Sequence, residues 1–393
     1  MQQLTSKLQV AHFIADPKFA FGAYYQFETV LPGGNHFFTI GDHLSDVNFL
    51  KMNPHRVTSR ELQSSEFITY INKKFHAVVF HGLYPNHMYL CERIDPEIYI
   101  SWIGMGGDYY DLLVDDVRDL LEPLTKSYFK NYPYPNDSSR IISSLKRFLK
   151  NSNFWKSRKL RLFKRINSFS PVLQTEHKAV SEKFHSTPNY IPWNYHTTNP
   201  NLVSFSAVPQ LNRVWVGNSA SHTNNHLDII NLFCRYERST NRRLQFPDYV
   251  FPLSYGSKEV MRRVTAELND GFGLRARVLN EFFGTDEYIK NIQSSGAMVM
   301  NHRRQEGGAN INIALLSGLD VFMNPESLYF KELVESGLDI RTTQEIRADF
   351  LSLLEPNDMT VKRRNRDIIS SMLDSEKGLR KTKNLVENII DCI

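Results

Sequence analysis

The chain has 393 residues, 41% of them hydrophobic and 12% aromatic, enough for two domains with large cores and too apolar for a disordered polypeptide. No run nears the roughly 18 apolar residues of a membrane-crossing helix, and Met1 to Lys7 carries no apolar signal segment, so a cytoplasmic protein is expected. The net charge of +5 is modest, and Cys91, Cys234 and Cys392 lie far apart without a CxxC pair, which leaves free thiols in place of a disulfide framework or zinc knuckle.

In chain order, Val10 to Ile14 reads as a first strand and Tyr24 to Val30 as a helical or irregular apolar stretch, closed by the turn cluster Pro32-Gly33-Gly34-Asn35. Phe37 to Ile40 is a second strand. Phe75 to Phe80 is a third, of the buried type, ending at His81-Gly82, and Ile98 to Ile103 a fourth, ending at Gly104-Met105-Gly106-Gly107-Asp108. In open parallel sheets ligands gather beyond the carboxyl ends of the strands, so these two ends are the informative part of the first half.

No Asp or Glu occurs between Asp137 and Glu176, while that window holds ten Lys and Arg interleaved with Phe148, Phe154, Trp155, Leu160, Leu162 and Phe163. A basic, amphipathic segment over 138–175 suits an anionic membrane surface, with nucleic acid the weaker partner and a helix pair joining the core the ordinary alternative. The aromatic, proline-punctuated stretch Lys183 to Tyr195 reads as a connector. It gives a first domain over 1–200, a second over 201–360 and a helical tail over 361–393.

The second half repeats short strands and helices: Arg213 to Val216, then a helix through Arg235; Tyr249 to Leu253, then a helix that Ser257 caps; Val278-Leu279 and a helix around Tyr288. Ala297 to Met300, a glycine turn, a helix from Ile311, the strand Asp320 to Met323 and a helix capped by Ser327 complete it. Such alternation is the sign of α/β doubly wound parallel sheets. The turn Asn301 to Asn310, containing Gly307-Gly308, aims the free N–H groups of a helix start above the sheet, where an anion fits; Arg303, Arg304 and Gln305 stand beside it.

At Trp215-Val216-Gly217-Asn218-Ser219-Ala220-Ser221-His222-Thr223-Asn224-Asn225-His226 the chain resembles glycosyltransferase family 56, the TDP-N-acetylfucosamine:lipid II N-acetylfucosaminyltransferases of enterobacterial common antigen synthesis. Val79 to Gly82, Trp102 to Tyr110, Pro252 to Tyr255 and Arg303 to Gly308 extend the resemblance over roughly residues 75 to 325. It implies a GT-B fold, two Rossmann-like domains facing across a cleft. It further implies a hexosyltransferase moving an amino- or acetamido-deoxyhexose from a TDP-sugar to a polyprenyl-diphosphate-linked saccharide, for enterobacterial common antigen or an O-antigen. The enzyme would sit peripherally on the cytoplasmic face of the inner membrane, with no nucleic-acid partner. A non-catalytic nucleotide-binding protein of polysaccharide assembly is the alternative.

Sugar transfer needs a group that stabilises the departing diphosphate and one that takes the acceptor hydroxyl's proton. Asn218, Ser219, Tyr255, Arg304, Gln305, Glu306, Gly307, Gly308 and Asn310 are the expected donor-site residues, since all follow strands of the second series or open a helix. Asp108 and His81, at neighbouring strand ends, are the expected catalytic candidates. The sequence has no Asp-x-Asp at a strand end and no His/Cys/Glu metal spacing, so no metal is expected.

Overall fold

The computed structural model describes residues 8–40, 54–131, 154–195, 198–205, 212–240, 247–272 and 275–393. Their strands form two fully parallel sheets. The first contains β1 (Val10–Ile14), β2 (Asn35–Ile40), β3 (His55–Val57), β4 (Ala77–His81), β5 (Tyr99–Ile103), β6 (Ser168–Ser170) and β7 (Asn189–Tyr190), in the order β3-β2-β1-β4-β5-β6-β7. The second contains β8 (Arg213–Val216), β9 (Asp248–Pro252), β10 (Ala276–Leu279), β11 (Ala297–Met300), β12 (Asp320–Met323) and β13 (Arg341–Thr342), in the order β10-β9-β8-β11-β12-β13. In each sheet the winding reverses once, between β1 and β4 and between β8 and β11. A ligand crevice opens at such a reversal, because neighbouring connections leave in opposite directions.

The chain divides into two compact units that are not continuous in sequence. One comprises Met1–Asp115, Arg147–Thr197 and Asp374–Ile393, the other Asp116–Lys146 and Thr198–Leu373. The linear division at 200 and 360 misses that the segment after Asp115 belongs with the second sheet, while the last helix belongs with the first. Only tertiary contacts carry that information.

Strands β1, β4 and β5 are buried at every position, as expected of a parallel sheet covered on both faces. One face of the first sheet packs under the helix Pro17–Val30, through Ala20, Ala23 and Phe27, together with Trp193 and the apolar face of the helix Ser375–Asp391, Leu385, Val386 and Ile389. In the second unit the helices His226–Thr240 and Lys258–Phe272 bury Ile229, Ile230, Phe233, Val260, Val264 and Leu268 over β8, β9 and β11. These faces follow the helical period, with Val260, Val264 and Leu268 four residues apart.

The described part of the basic window is tied into the first unit. Residues 138–153 lie outside the described residues. Of the remainder, 154–162 are helical, Leu162, Phe163 and Ile166 enter the core, and 168–170 form the buried strand β6. Lys156 pairs with Asp115 at 3.0 Å, Arg158 with Glu92 at 2.6 Å and Lys159 with Asp111 at 2.7 Å, while Arg165 donates to the Asp95 and Ile98 carbonyls. The window lacks acids of its own, but the fold brings them from elsewhere. Its described half is a helix docked on the first unit, with Arg161 and Lys164 as exposed cations. No helix among the described residues is long and apolar enough to cross a membrane.

Candidate functional site

At the β8/β11 reversal the chain leaves β8 through Gly217, whose φ of +73° and closeness to His226 and Asn224 exclude a side chain. Asn224 holds this loop: its Oδ1 accepts from the Asn218 N–H at 3.0 Å and its Nδ2 donates to Ser219 Oγ at 3.3 Å and to Glu306 at 2.9 Å. His226 Nε2 donates to the Ser219 carbonyl at 2.8 Å. Burial pushes His226 and His222 down to about 4, so both rings are neutral.

The β11 loop meets this one at Gly307. Its φ is +63°, and a Cβ there would stand 3.1 Å from Asn218 and closer still to the Met300 methyl. Gly307 is also the N-cap of the helix Gly308–Ser317 and supplies no side chain to the first N–H groups, which point out beyond the sheet. Gly308 is half-exposed, with the Gln305 amide nitrogen 3.6 Å from where its Cβ would be. The Asn218 Oδ1 is buried and has no hydrogen-bond partner among the described residues. A glycine-lined helix start whose first N–H groups lack a side-chain cap is chemically an anion site.

The expected donor residues separate into three groups. Asn218, Ser219, Gln305, Gly307 and Gly308 gather at the reversal. Glu306 is buried and accepts from Thr223 and Asn224 while pairing with Arg304, so it ties the two loops together and also engages that arginine. Asn310 is buried too and donates to the Tyr288 hydroxyl at 2.9 Å. Tyr255, in the β9 loop, is 70% exposed, and its carbonyl accepts from the Ala220 N–H, so the ring stands free of the neighbouring loop.

Arg303 is not the open cation its position suggests. It donates to the Asp119 carbonyl at 3.0 Å and to Glu122 at 3.2 Å. Glu122, nearly buried, also accepts from Arg347 at 2.9 Å and Asn324 at 3.0 Å. Asn225, in the left-handed region at φ 55°, completes the attachment of this segment, accepting from the Glu122 N–H and donating to the Leu120 and Asn301 carbonyls. Asp228 accepts from Leu124, Thr125 and the Thr125 hydroxyl, which caps the helix Pro123–Asn131. The positive potential at the glycine turn therefore comes from the helix start more than from the loop arginines.

In the first unit Asp108 departs from its expected role as an accessible base. It is 2% exposed and accepts from the Leu83 N–H at 2.8 Å, the Met105 N–H at 2.8 Å and the Trp102 indole at 2.7 Å. It clamps the β4 and β5 loops, and burial raises its carboxyl above the usual range. His81 is buried at the end of β4, but it reaches the sheet's C-terminal edge through the half-buried Tyr195, whose hydroxyl lies 2.7 Å from its Nδ1. Among the described residues no group of His, Cys, Asp and Glu gathers that could hold a metal ion. Sequence reasoning missed Tyr195, which lay in the presumed connector, and His12. The signal for His12 was a histidine in the middle of an apolar strand.

No protein-family model matches the chain, and no curated protein matches its sequence. Solved structures do. The N-terminal domain of trehalose-6-phosphate phosphatase from Candida albicans superposes with a TM-score of 0.65 over 98% of this chain and 97% of that one, at 9% identity. A glycosyltransferase from Rickettsia africae gives 0.60 over 98% and 99%, at 12% identity. HepE from Anabaena, solved in complex with UDP and glucose, gives 0.61 over 98% and 100%, at 10% identity. At such identities the likeness is one of fold, and it extends over both sheets: the chain has the two-domain GT-B fold found among glycosyltransferases.

Proposed function

We propose that the protein is a glycosyltransferase that binds a nucleoside-diphosphate sugar at the β8/β11 reversal. The observation that carries this reading is the left-handed Gly307 opening the helix Gly308–Ser317 beside Asn218, in a fold whose neighbour HepE was solved with UDP and glucose. The diphosphate lies on the helix start, with Asn218, Ser219 and Gln305 donating to it and Tyr255 free to stack on the base. As the bond from the sugar to the diphosphate breaks, these N–H groups stabilise the charge left on the leaving group. His81, at the end of β4, is the proposed base for the acceptor hydroxyl. Asp108 holds the loops there.

The finer assignment rests on the resemblance of the Trp215 to His226 stretch and its companions: a TDP-linked amino- or acetamido-deoxyhexose as donor, a polyprenyl-diphosphate-linked saccharide as acceptor, and no divalent metal. Calorimetry with UDP and dTDP, each in magnesium and in EDTA, tests it. At least one nucleotide should bind, equally well with and without the metal; binding of neither overturns the reading. Binding without slow hydrolysis of the matching nucleotide sugar favours the non-catalytic alternative.

Gly308→Ala is a clean probe, because its methyl would sit 3.4 Å from the Tyr329 hydroxyl, an ordinary contact, and alanine favours a helix by about 1 kcal/mol over glycine. The variant should fold as well as the parent and bind the nucleotide at least about tenfold more weakly, as the methyl crowds the phosphate approach. Undiminished affinity would move the donor elsewhere. Attachment to the inner membrane belongs to the same proposal, resting on the composition of 138–175. Vesicle flotation should show binding that rises with anionic lipid and falls with salt, and equal binding to neutral vesicles would refute it.

A further inference from the structure

Asn225 is the one non-glycine residue, among those described, whose backbone lies in the left-handed region, and it is fully buried. A glycine takes that conformation without strain, so what the asparagine adds is its amide. Its Nδ2 lies 3.1 Å from the Leu120 carbonyl, 3.1 Å from the Asn301 carbonyl and 3.2 Å from the Thr223 carbonyl, while its Oδ1 lies 2.8 Å from the Glu122 nitrogen. Carbonyls only accept and an N–H only donates, so the amide has one allowed orientation. One side chain thus joins the β8 loop, the β11 loop and the stretch around Leu120, all within the second unit.

These ties bear on both sides of the anion site. Asn225 sets the course of Asn224, whose side chain holds the Asn218 N–H at 3.0 Å, Ser219 Oγ at 3.3 Å and Glu306 at 2.9 Å. It also pins Asn301, the first residue of the turn that leads to Gly307 and Gly308. Within that turn Arg303 donates to the Asp119 carbonyl at 3.0 Å and to Glu122 at 3.2 Å, so the stretch 119–122 grips the turn a second time. Glu306 joins the two loops near Gly307, and Asn225 joins them where the β11 loop leaves its strand. There is little slack between them, since a Cβ on Gly307 would stand 3.1 Å from the Asn218 side chain. A binding cradle works only when its donors are held to within about 0.5 Å, so the spacing of these loops decides how well it grips.

We infer that Asn225 is a positioning residue for the donor diphosphate: it sets the β8 loop and the β11 turn at the spacing where Asn218 and the Gly308 helix start meet one anion, with the Leu120–Glu122 stretch as the fixed third point. The inference rests on the glycosyltransferase reading for the identity of that anion. Asn225 is buried and acts through Asn224 and Asn301. The Glu122 side chain is not part of the device, because Asn225 meets the Glu122 backbone N–H, which an alanine supplies as well. Coupling between two sites is reciprocal, so a ligand on the cradle must in turn tighten the hold on this stretch.

Two measurements on the full chain decide it. The first is calorimetry with UDP and dTDP, below every melting midpoint, on the parent, Asn225→Gly and Glu122→Ala. Asn225→Gly keeps the left-handed backbone, loses the amide's contacts and should bind at least about tenfold more weakly, while Glu122→Ala, though also less stable, should stay within about twofold of the parent. Parent affinity in Asn225→Gly overturns the inference. So does an equal loss in both variants, which would make the effect one of stability alone. The second measurement needs no substitution: hydrogen exchange of the parent with whichever nucleotide binds. The Glu122 amide should slow several-fold more than the amides of the helix Met359–Met372 in the same unit, and slowing no greater than theirs overturns the inference as well. If the parent binds neither nucleotide, the glycosyltransferase reading has failed. Exchange across 301–310 then decides the positioning alone: faster in Asn225→Gly if Asn225 holds that turn, unchanged if it does not.

Discussion

Replacing Glu122 by alanine is expected to lower the stability of the second unit by about 3 kcal/mol. The carboxylate is nearly buried and accepts from Arg303, Arg347 and Asn324, while its own N–H is held by Asn225. Removing one partner of a buried ion pair strands the others, typically at about 3 to 5 kcal/mol; the lower end applies because the Arg303 and Arg347 side chains keep 23% and 36% of their exposure. In a unit of this size that is a fall of about 6–12 °C in melting midpoint. Glu122→Gln, which keeps the acceptor oxygen, should lose less. Arg303 keeps its Glu326 and Asp119 partners in the variant, so nucleotide affinity below the melting range should hold. An alanine variant that melts with the parent would show that the segment from Asp116 is held by other means.

Acid should destabilise both units earlier than carboxylate titration alone would. Burial depresses His12 to about 3 and His87 to about 4 in the first unit, and His222 and His226 to about 4 in the second. In the unfolded chain each returns to about 6.5, so below that pH the unfolded state binds protons the native state does not. The stabilisation is complete above 6.5, falls as the pH falls through 6.5, and goes on falling until the folded values are reached. At pH 5 each group has forfeited about 2 kcal/mol, or about 4 kcal/mol for the pair in each unit. That is a large part of an ordinary domain's 5 to 15 kcal/mol. Asp108 works in the opposite sense, because its raised carboxyl means that acid relieves a buried charge; one such group does not outweigh two histidines. Urea midpoints at pH 7, 6 and 5 should drop steadily, and equal midpoints at pH 7 and 5 would show that these rings are hydrated.

The long central strands were legible because a parallel sheet covered on both faces demands apolar runs, and Val10 to Ile14, Ala297 to Met300 and Asp320 to Met323 match their expected bounds. Strands β3, β6, β7 and β13 were not. Each has two or three residues, too few for any period to appear, and His55-Arg56-Val57 or Asn189-Tyr190 reads as loop until a neighbouring strand supplies its hydrogen bonds. The ends of strands pointed to chemistry, and Gly307, Gly308, Asn218 and Ser219 do come together. Polarity alone did not distinguish a residue that faces a ligand from one that holds a loop. Glu306 and Asp108 look like open carboxylates in the sequence, yet their donors are Thr223, Asn224, Leu83, Met105 and Trp102, some of them remote in sequence. Tyr195 and His12 lie 183 positions apart, and only the packing of β1 against β4 places both against His81.

The placement of the last helix sets an order of completion during synthesis. The first unit starts with β1, ahead of every strand of the second, yet its core lacks Leu385, Val386 and Ile389, and Trp193 lacks its bond to Thr382, until Ser375–Asp391 has left the ribosome. The second unit ends at Leu373 and has all its parts sooner. The domain begun first is therefore finished last, and for most of translation Phe27, Tyr99 and Trp193 wait without the helix that covers them.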